Sequence, residues 1–375
     1  MKNPTRSGGL PDFQRDNIAR MEGYLPGEQP NDSSIIKLNT NENPFPPSTP
    51  VQEALRKLEP TDLRRYPDPL STGFRSAIAQ THGLNLDATI ATRGGDELLR
   101  LVITTFVEPG STIGMTDPTY SLYETLAEIH ACPTFKVDIS RHWKPAPDFA
   151  AMMNHINARL ILLVNPHAPS GSLLPISQID AICAEARGIV LLDEAYIDFV
   201  DPALAYDAIP LLARHGNLII LRTLSKGYSL AGMRLGYGLA SPGLIAPMLT
   251  KTRDSYNLDT ISQRVGEAAL AGRDESRRSW ETVRAERARL RTELAGRGIE
   301  TLPSESNFLL ARIPNSVAAS DGPDAHRTYL GLKDRKILVR YFSTPALADR
   351  LRISVGTPEE SSALLAALDD IRAGK

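Results

Sequence analysis

The chain has 375 residues and a formal net charge of −2, from 42 Lys+Arg against 44 Asp+Glu. That balance leaves no excess basic charge to neutralise a nucleic-acid backbone, and hydrophobic and charged fractions of 42% and 23% exclude a disordered chain. At about 100–200 residues per domain, the length predicts two domains or one large one, with a core that needs no disulfide or metal.

Prolines crowd the first fifty residues (Pro26, Pro30, Pro44, Pro46, Pro47, Pro50), and this stretch lacks helical periodicity. It reads as an extended arm lying on another part of the molecule. Val51, Ala54, Leu55 and Leu58 recur at helical spacing. Thr61–Pro69 breaks the pattern, and Gly73–His82 resumes it. Gly95–Phe106 reads as an apolar helix, Ser111–Met115 as a short strand, Tyr120–His130 as a helix and Cys132–Val137 as extended chain. Leu160–Val164 is an apolar run stopped by Asn165-Pro166. Ile176–Arg187 is helical, and Ile189–Asp193 is apolar up to its closing acid. Leu218–Arg222 and Leu235–Leu239 follow as strands. Short runs that are apolar throughout, set between helices, predict a mostly parallel sheet covered on both faces. Further on, Arg277–Leu294 is a long charged helix with an apolar stripe at Trp280, Val283, Leu290 and Leu294. Its arginines alternate with Glu281, Glu286 and Glu293, which marks a solvated face rather than a nucleic-acid surface. Strands at Asn307–Ile313, Ile337–Tyr341 and Leu351–Val355, with helices near Asp324–Asp334 and Pro358–Ile371, predict a smaller α+β unit.

Cys132 and Cys183 form no CxxC pattern and read as buried small hydrophobes in a reducing compartment. No apolar run approaches the ~18–20 residues needed to span a bilayer, and residues 1–16 carry no apolar signal-like stretch. A cytoplasmic protein with no membrane, nucleic-acid or metal partner is the expectation.

Polar residues follow the strand runs: Asn165, Asp193 and Ser225-Lys226. In open α/β sheets ligands bind at the carboxyl ends of strands, so these positions point to one site. A lysine at a strand end, between small hydroxyl residues (Thr223-Leu224-Ser225-Lys226-Gly227), is placed to form a Schiff base. The hydroxyls of Thr223 and Ser225, with the Arg234 guanidinium, suit a phosphate. Arg93-Gly94-Gly95-Asp96-Glu97 opens a helix whose N–H groups can bind the same anion or be capped by Asp96. The chain has no GxxxxGK[ST], which excludes a P-loop NTPase reading of Asp193-Glu194-Ala195-Tyr196. The better reading of Asp193 is a carboxylate paired with a protonated pyridine nitrogen, with Tyr196 facing the ring's phenolic oxygen.

Together these residues resemble the fold-type I pyridoxal-phosphate aminotransferases, from about Tyr24 to about Ile371. Within their class II subgroup the chain looks most like the histidinol-phosphate aminotransferases. The resemblance rests on Tyr24-Leu25-Pro26-Gly27, Leu38-Asn39-Thr40-Asn41-Glu42-Asn43-Pro44, Tyr66-Pro67-Asp68-Pro69, the run from Asp193 to Phe199, Ser225-Lys226 and Arg352-Ile353-Ser354-Val355-Gly356-Thr357. It implies an α/β fold with a large cofactor domain and a smaller α+β domain. Expected limits are an arm and part of the small domain over 1–45, a large domain over 46–272 and a small C-terminal domain over 273–375. It also implies that Lys226 binds pyridoxal 5′-phosphate covalently and moves protons, with Asp193 on the pyridine nitrogen and Asn165 and Tyr196 on the ring oxygen. Tyr120 would stack on the ring. Gly95, Asp96, Thr223, Ser225 and Arg234 would hold the phosphate, helped by Tyr66 reaching across a homodimer. Arg352 would bind the anionic group of each substrate, with Arg340, Tyr24, Asn43 and Tyr256 as further substrate contacts.

The implied reaction is transfer of the amino group of L-histidinol phosphate to 2-oxoglutarate, in histidine biosynthesis. An aromatic amino-acid aminotransferase and a threonine-phosphate decarboxylase on the same scaffold are the alternatives. The chain departs from the family's usual Asn-Pro-Asn-Asn-Pro-Thr-Gly, having His167, Ala168 and Ser170, and has Ser255 before Tyr256 where proline is common.

Overall fold

The apolar runs in the middle of the chain offer no polar face to water, and most become strands buried on both sides. The computed structural model describes residues 13–314 and 324–374. In chain order its strands are β1 (Ile36–Lys37), β2 (Thr89–Thr92), β3 (Ile113–Asp117), β4 (Thr134–Asp138), β5 (Leu160–Val164), β6 (Ile189–Asp193) and β7 (Leu218–Thr223). They continue with β8 (Gly236–Ala240), β9 (Glu300–Thr301), β10 (Phe308–Arg312), β11 (Ile337–Leu338), β12 (Arg340–Tyr341) and β13 (Arg350–Ser354).

The central sheet has seven strands in the order β2-β8-β7-β6-β5-β3-β4. Only β8 runs against its neighbours; the other pairings are parallel. Two apolar layers cover the sheet. One contains Phe74, Ile78, Phe149, Ile179 and Val265; the other contains Leu98, Val102, Ile103, Tyr123 and Leu126. This is the expected α/β architecture. β2 was not legible in the sequence, because Thr89 and Thr92 break its apolar pattern, yet all four of its residues are buried.

The smaller unit has an antiparallel sheet, β12-β13-β10-β9, and the two-stranded parallel sheet β1-β11. The expected single strand Ile337–Tyr341 divides into β11 and β12, which serve different sheets. Leu38 from the arm packs with Leu309, Leu351, Ile353, Leu364 and Leu368. The start of the chain therefore completes a core built mainly from its end.

The arm is not wholly extended. Asp16–Arg20 is a short helix, and Asn17 Nδ2 donates to the Glu128 carbonyl at 2.6 Å. The first twelve residues of the expected arm lie outside the described residues. The long helix begins at Arg273, four residues before the expected start, and ends at Gly296. Its Trp280 and Val283 belong to the core of the large sheet, and its Leu290 and Leu294 to the small core. We propose the limits 1–45, 46–272 and 273–375 as the domain division, with this helix as the strut between the two cores. Among the described residues, no helix is long and apolar enough to cross a membrane.

At one point this fold depends on the absence of a side chain. Gly236 of β8 pairs with both Thr92 and Thr223. A Cβ there would lie 2.7 Å from the backbone carbon of Gly94 and 3.0 Å from the Arg222 carbonyl oxygen. Backbone atoms cannot swing aside as a side chain can. Gly236→Ala is therefore expected to cost about 1–3 kcal/mol of stability in denaturant unfolding, and to loosen the helix start that follows β2.

Candidate active site

Five parallel strands deliver their carboxyl ends to one edge of the sheet. β2 leads into the helix Gly94–Phe106, β3 into the Pro118–Tyr120 turn, β5 into Asn165, β6 ends in Asp193, and β7 leads to Ser225-Lys226. A cavity of about 650 Å³ opens there, roofed by Tyr24 from the arm and by Arg340 and Arg352 from the small sheet.

Asp193 is buried at its floor. Its Oδ2 accepts the hydroxyl hydrogen of Tyr123 at 2.7 Å, and its Oδ1 accepts the N–H of Ala195 at 3.0 Å. Burial pushes its carboxyl up to about 6, against the pull of these two donors. Tyr123 has no counterpart in the sequence reading; helical periodicity marks it only as a core residue.

Lys226 donates to the Thr40 carbonyl at 3.0 Å, and its Nζ lies 5.9 Å from the centre of the Tyr196 ring. Burial brings its ammonium down to about 8; the nearby Arg352 and Arg234 add to this and Glu42 opposes it. Tyr196 lines the same wall, with its ring edge-on to Phe308, centroids 5.1 Å apart.

The expected phosphate contacts converge. Arg234 Nη2 lies 3.0 Å from Asp96 Oδ2, and Nη1 is 3.5 Å from Ser225 Oγ. Thr223 Oγ1 accepts the Ser225 N–H at 3.1 Å. The N-cap residue of the helix Gly94–Phe106 makes no side-chain cap, and Gly95 and Asp96 of its first turn line the cavity, where uncapped N–H groups can bind an anion. Asp96 pairs with Arg234 rather than capping the helix.

Tyr120 lines the cavity between Tyr24 and Tyr123, at centroid distances of 6.1 and 5.5 Å. Arg352 reaches the cavity from β13 and Arg340 from β12. Arg352 Nη2 donates to the Asn39 carbonyl at 3.1 Å, while its buried Nε has no hydrogen-bond partner among the described residues. Its guanidinium lies 5.3 Å from the Phe308 ring centre and 5.5 Å from that of Phe342.

Three expected contacts, Asn165, Asn43 and Tyr256, lie elsewhere, and Tyr66, expected in a neighbouring site, lies outside this one. Asn165 faces away from the cavity: its Nδ2 donates to Tyr206 Oη at 2.9 Å and the Leu174 carbonyl at 3.3 Å, and its Oδ1 accepts the Leu174 N–H at 2.8 Å. With both amide hydrogens engaged, it has no donor for a ring oxygen; the turn presents Ala168 to the cavity instead. Asn43 bonds the Gly227 carbonyl at 3.2 Å and Ser279 Oγ at 3.3 Å, which braces the lysine loop against the long helix rather than meeting substrate. Tyr66 and Tyr256 stack on each other outside this chain's cavity, centroids 4.6 Å apart, and are 82% and 41% exposed.

His167 is buried, with Nε2 3.0 Å from the Pro118 carbonyl and Nδ1 2.8 Å from Ser170 Oγ. Burial takes its pKa down to about 4, so it is a neutral tie between the turns carrying Ala168 and Tyr120.

The sequence model of the family described as aminotransferase class I and II matches residues 33–368. The chain is 42% identical to the histidinol-phosphate aminotransferase of a Synechocystis species over 358 residues, covering 96% of this chain and 98% of that one. It is 41% identical to that of Rippkaea orientalis, with the same coverage. Among solved structures it is similar to the histidinol-phosphate aminotransferase of Sinorhizobium meliloti in complex with pyridoxal-5′-phosphate, with a TM-score of 0.82 and 27% identity over 91% of this chain and 92% of that one. A buried lysine, a buried carboxylate and a helix start that line one cavity match that similarity in chemistry: the chain belongs to the class I and II aminotransferases, and is a transaminase that uses pyridoxal 5′-phosphate.

Proposed function

We propose that the protein transfers the amino group of L-histidinol phosphate to 2-oxoglutarate, forming imidazole acetol phosphate and L-glutamate in histidine biosynthesis. Near-full-length identity of about 40% to relatives of that name supports the reading. The observation that carries it in the geometry is a second anion site. Arg340 and Arg352 line the roof of the cavity, apart from the cradle at the helix start. One amine brings a phosphate and the other a carboxylate, and a guanidinium pairs with either by charge-assisted bonds.

The residues fit the cofactor on their own chemistry. Thr223, Ser225, Arg234 and the uncapped helix start would hold its phosphate, Asp193 its ring nitrogen, Tyr196 its ring oxygen and Tyr120 its face. When bound, it supplies an electron sink that acidifies the C–H bond next to the substrate's amine. Lys226 would hold the proton that moves at that carbon; with a pKa of about 8, roughly a tenth of its amine is uncharged at pH 7. Asp193 would keep the ring nitrogen positive, and Tyr123 and the Ala195 N–H hold the carboxylate in place. Tyr24, with Gly23 and Leu25 of the arm, lines the cavity.

The exposed Tyr66, stacked on Tyr256 and facing away from its own cavity, supports a homodimer in which Tyr66 reaches the neighbouring site. Tyr256 would then serve the partner's substrate as well. Two buried, unpaired cysteines support a cytoplasmic location.

Three outcomes are expected. The rate of cofactor uptake by the apoenzyme should rise with pH, levelling off above about pH 8, because uptake needs the uncharged Lys226; stopped-flow absorbance reads this. Asp193→Asn should lower turnover by several orders of magnitude, and near-normal turnover would remove its assigned role. Offered separately and without a second substrate, histidinol phosphate should convert the cofactor to its amine form faster than phenylalanine does. Preference for phenylalanine would overturn the substrate, and carbon dioxide release from threonine phosphate would make the protein a lyase.

A further inference from the structure

Removing Asn165 from the cavity leaves Tyr196 as the hydroxyl that faces the cofactor's ring oxygen. What that hydroxyl does depends on where its one hydrogen points. Tyr196 Oη lies 3.0 Å from Asn41 Nδ2, which donates to it. An oxygen that accepts there must send its own hydrogen elsewhere, and among the described residues no acceptor within the chain is recorded for it. The free direction is the cavity, which both residues line.

The orientation of the Asn41 amide decides this, because a flipped amide would accept from Tyr196 and turn the hydrogen away. Ser354 settles the orientation. Its Oγ accepts the backbone N–H of Asn41 at 2.9 Å and donates to Asn41 Oδ1 at 3.1 Å. Ser354 is buried, and Asn41 Oδ1 is the one acceptor recorded for its hydroxyl hydrogen. Flipping the amide would leave that buried hydrogen without a partner, which is unfavourable. Asn41 is held in turn by Asn307, whose Nδ2 donates to the Asn41 carbonyl at 3.0 Å.

We propose that Asn41 is a positioning residue: locked by Ser354, it forces the Tyr196 hydroxyl to donate into the cavity, toward the negatively charged ring oxygen of the cofactor. The inference rests on the cofactor and not on which amine is the substrate. An oxygen stabilised by a donated hydrogen bond holds less tightly the proton it shares with the neighbouring lysine nitrogen. Without Asn41, water in the space its amide leaves can accept the Tyr196 hydrogen and turn it away, the ring oxygen becomes more basic, and that proton is held more strongly. The charged groups facing Tyr196 are Lys226, Arg352 and Asp193, with Tyr24 beside them, and the substitutions below leave all four in place.

The test is a pH titration of the visible absorbance of the cofactor-loaded enzyme in the wild type, Asn41→Gly, Tyr196→Phe and the double variant. Glycine is chosen because Asn41 has a φ of +56°, which glycine adopts without strain. The absorbance pKa should rise by about 1 in Asn41→Gly, from loss of a hydrogen bond to a charged group. It should rise at least as far in Tyr196→Phe, and no further in the double variant, because Asn41 acts through Tyr196. A folded, cofactor-loaded Asn41→Gly with the wild-type absorbance pKa would overturn the proposal, as would additive shifts in the double variant. Ser354→Ala provides a second reading if Asn41→Gly does not fold: a smaller rise supports the lock, and no rise overturns it.

Discussion

The site is organised by charges that the chain buries but does not neutralise. Asp193 receives donors from a phenol and a backbone amide, and Lys226 gives its hydrogen to a carbonyl. The two groups shift toward neutrality from opposite sides, to about 6 and about 8, and in both the first cause is loss of water. Arg352, with an unpartnered Nε, adds a third such charge. A fold that used these residues for its own stability would have paired them. Instead, the cavity is complementary to a ligand that carries a positive ring nitrogen, an electrophilic carbon and anionic groups at each end.

Behind this surface the buried charges of Arg222 and Glu194 are paired with each other. Arg222 meets Glu194 at 2.7 Å and 2.9 Å, Tyr206 donates to Glu194 at 3.0 Å, and Asn165 donates to Tyr206. The network runs beneath the ends of β5, β6 and β7 and holds their register where the chemistry needs it. This accounts for the side of the turn that Asn165 takes: it belongs to the support, and the small Ala168 leaves room in the cavity. The contrast between a paired layer below and an unpaired layer above is what makes the edge of the sheet a binding site.

The two ends of the chain are joined through the same place. The arm contributes the Thr40 carbonyl to Lys226 and Asn41 to Tyr196, while β13 contributes Arg352 and Ser354. The Trp280 indole donates to the Gly227 carbonyl at 2.6 Å, so the strut helix is tied directly to the lysine loop. Movement of the smaller unit against the larger would therefore alter the partners of Lys226 and Tyr196 together.

Much of this was legible from one dimension. Strand runs that are apolar throughout, followed at once by Asn165, Asp193 or Ser225-Lys226, specify a parallel sheet with its chemistry at one edge, because period and burial are local properties of the chain. That Thr223, Ser225 and Arg234 come close together was equally readable from spacing. The direction of an amide or a hydroxyl was not. Asn165 and Asn43 have the right residue type in the right motif, but their hydrogens go to Tyr206, Gly227 and Ser279, partners far away in sequence. Tyr123 and Asn41 carry no motif for the roles they take, and β2 hides behind two threonines. Composition and periodicity thus decide which elements form and which strand ends carry polar groups. Long-range packing alone decides which side chains keep a free donor or an unpaired charge, because a hydrogen bond is assigned only when both partners are in place.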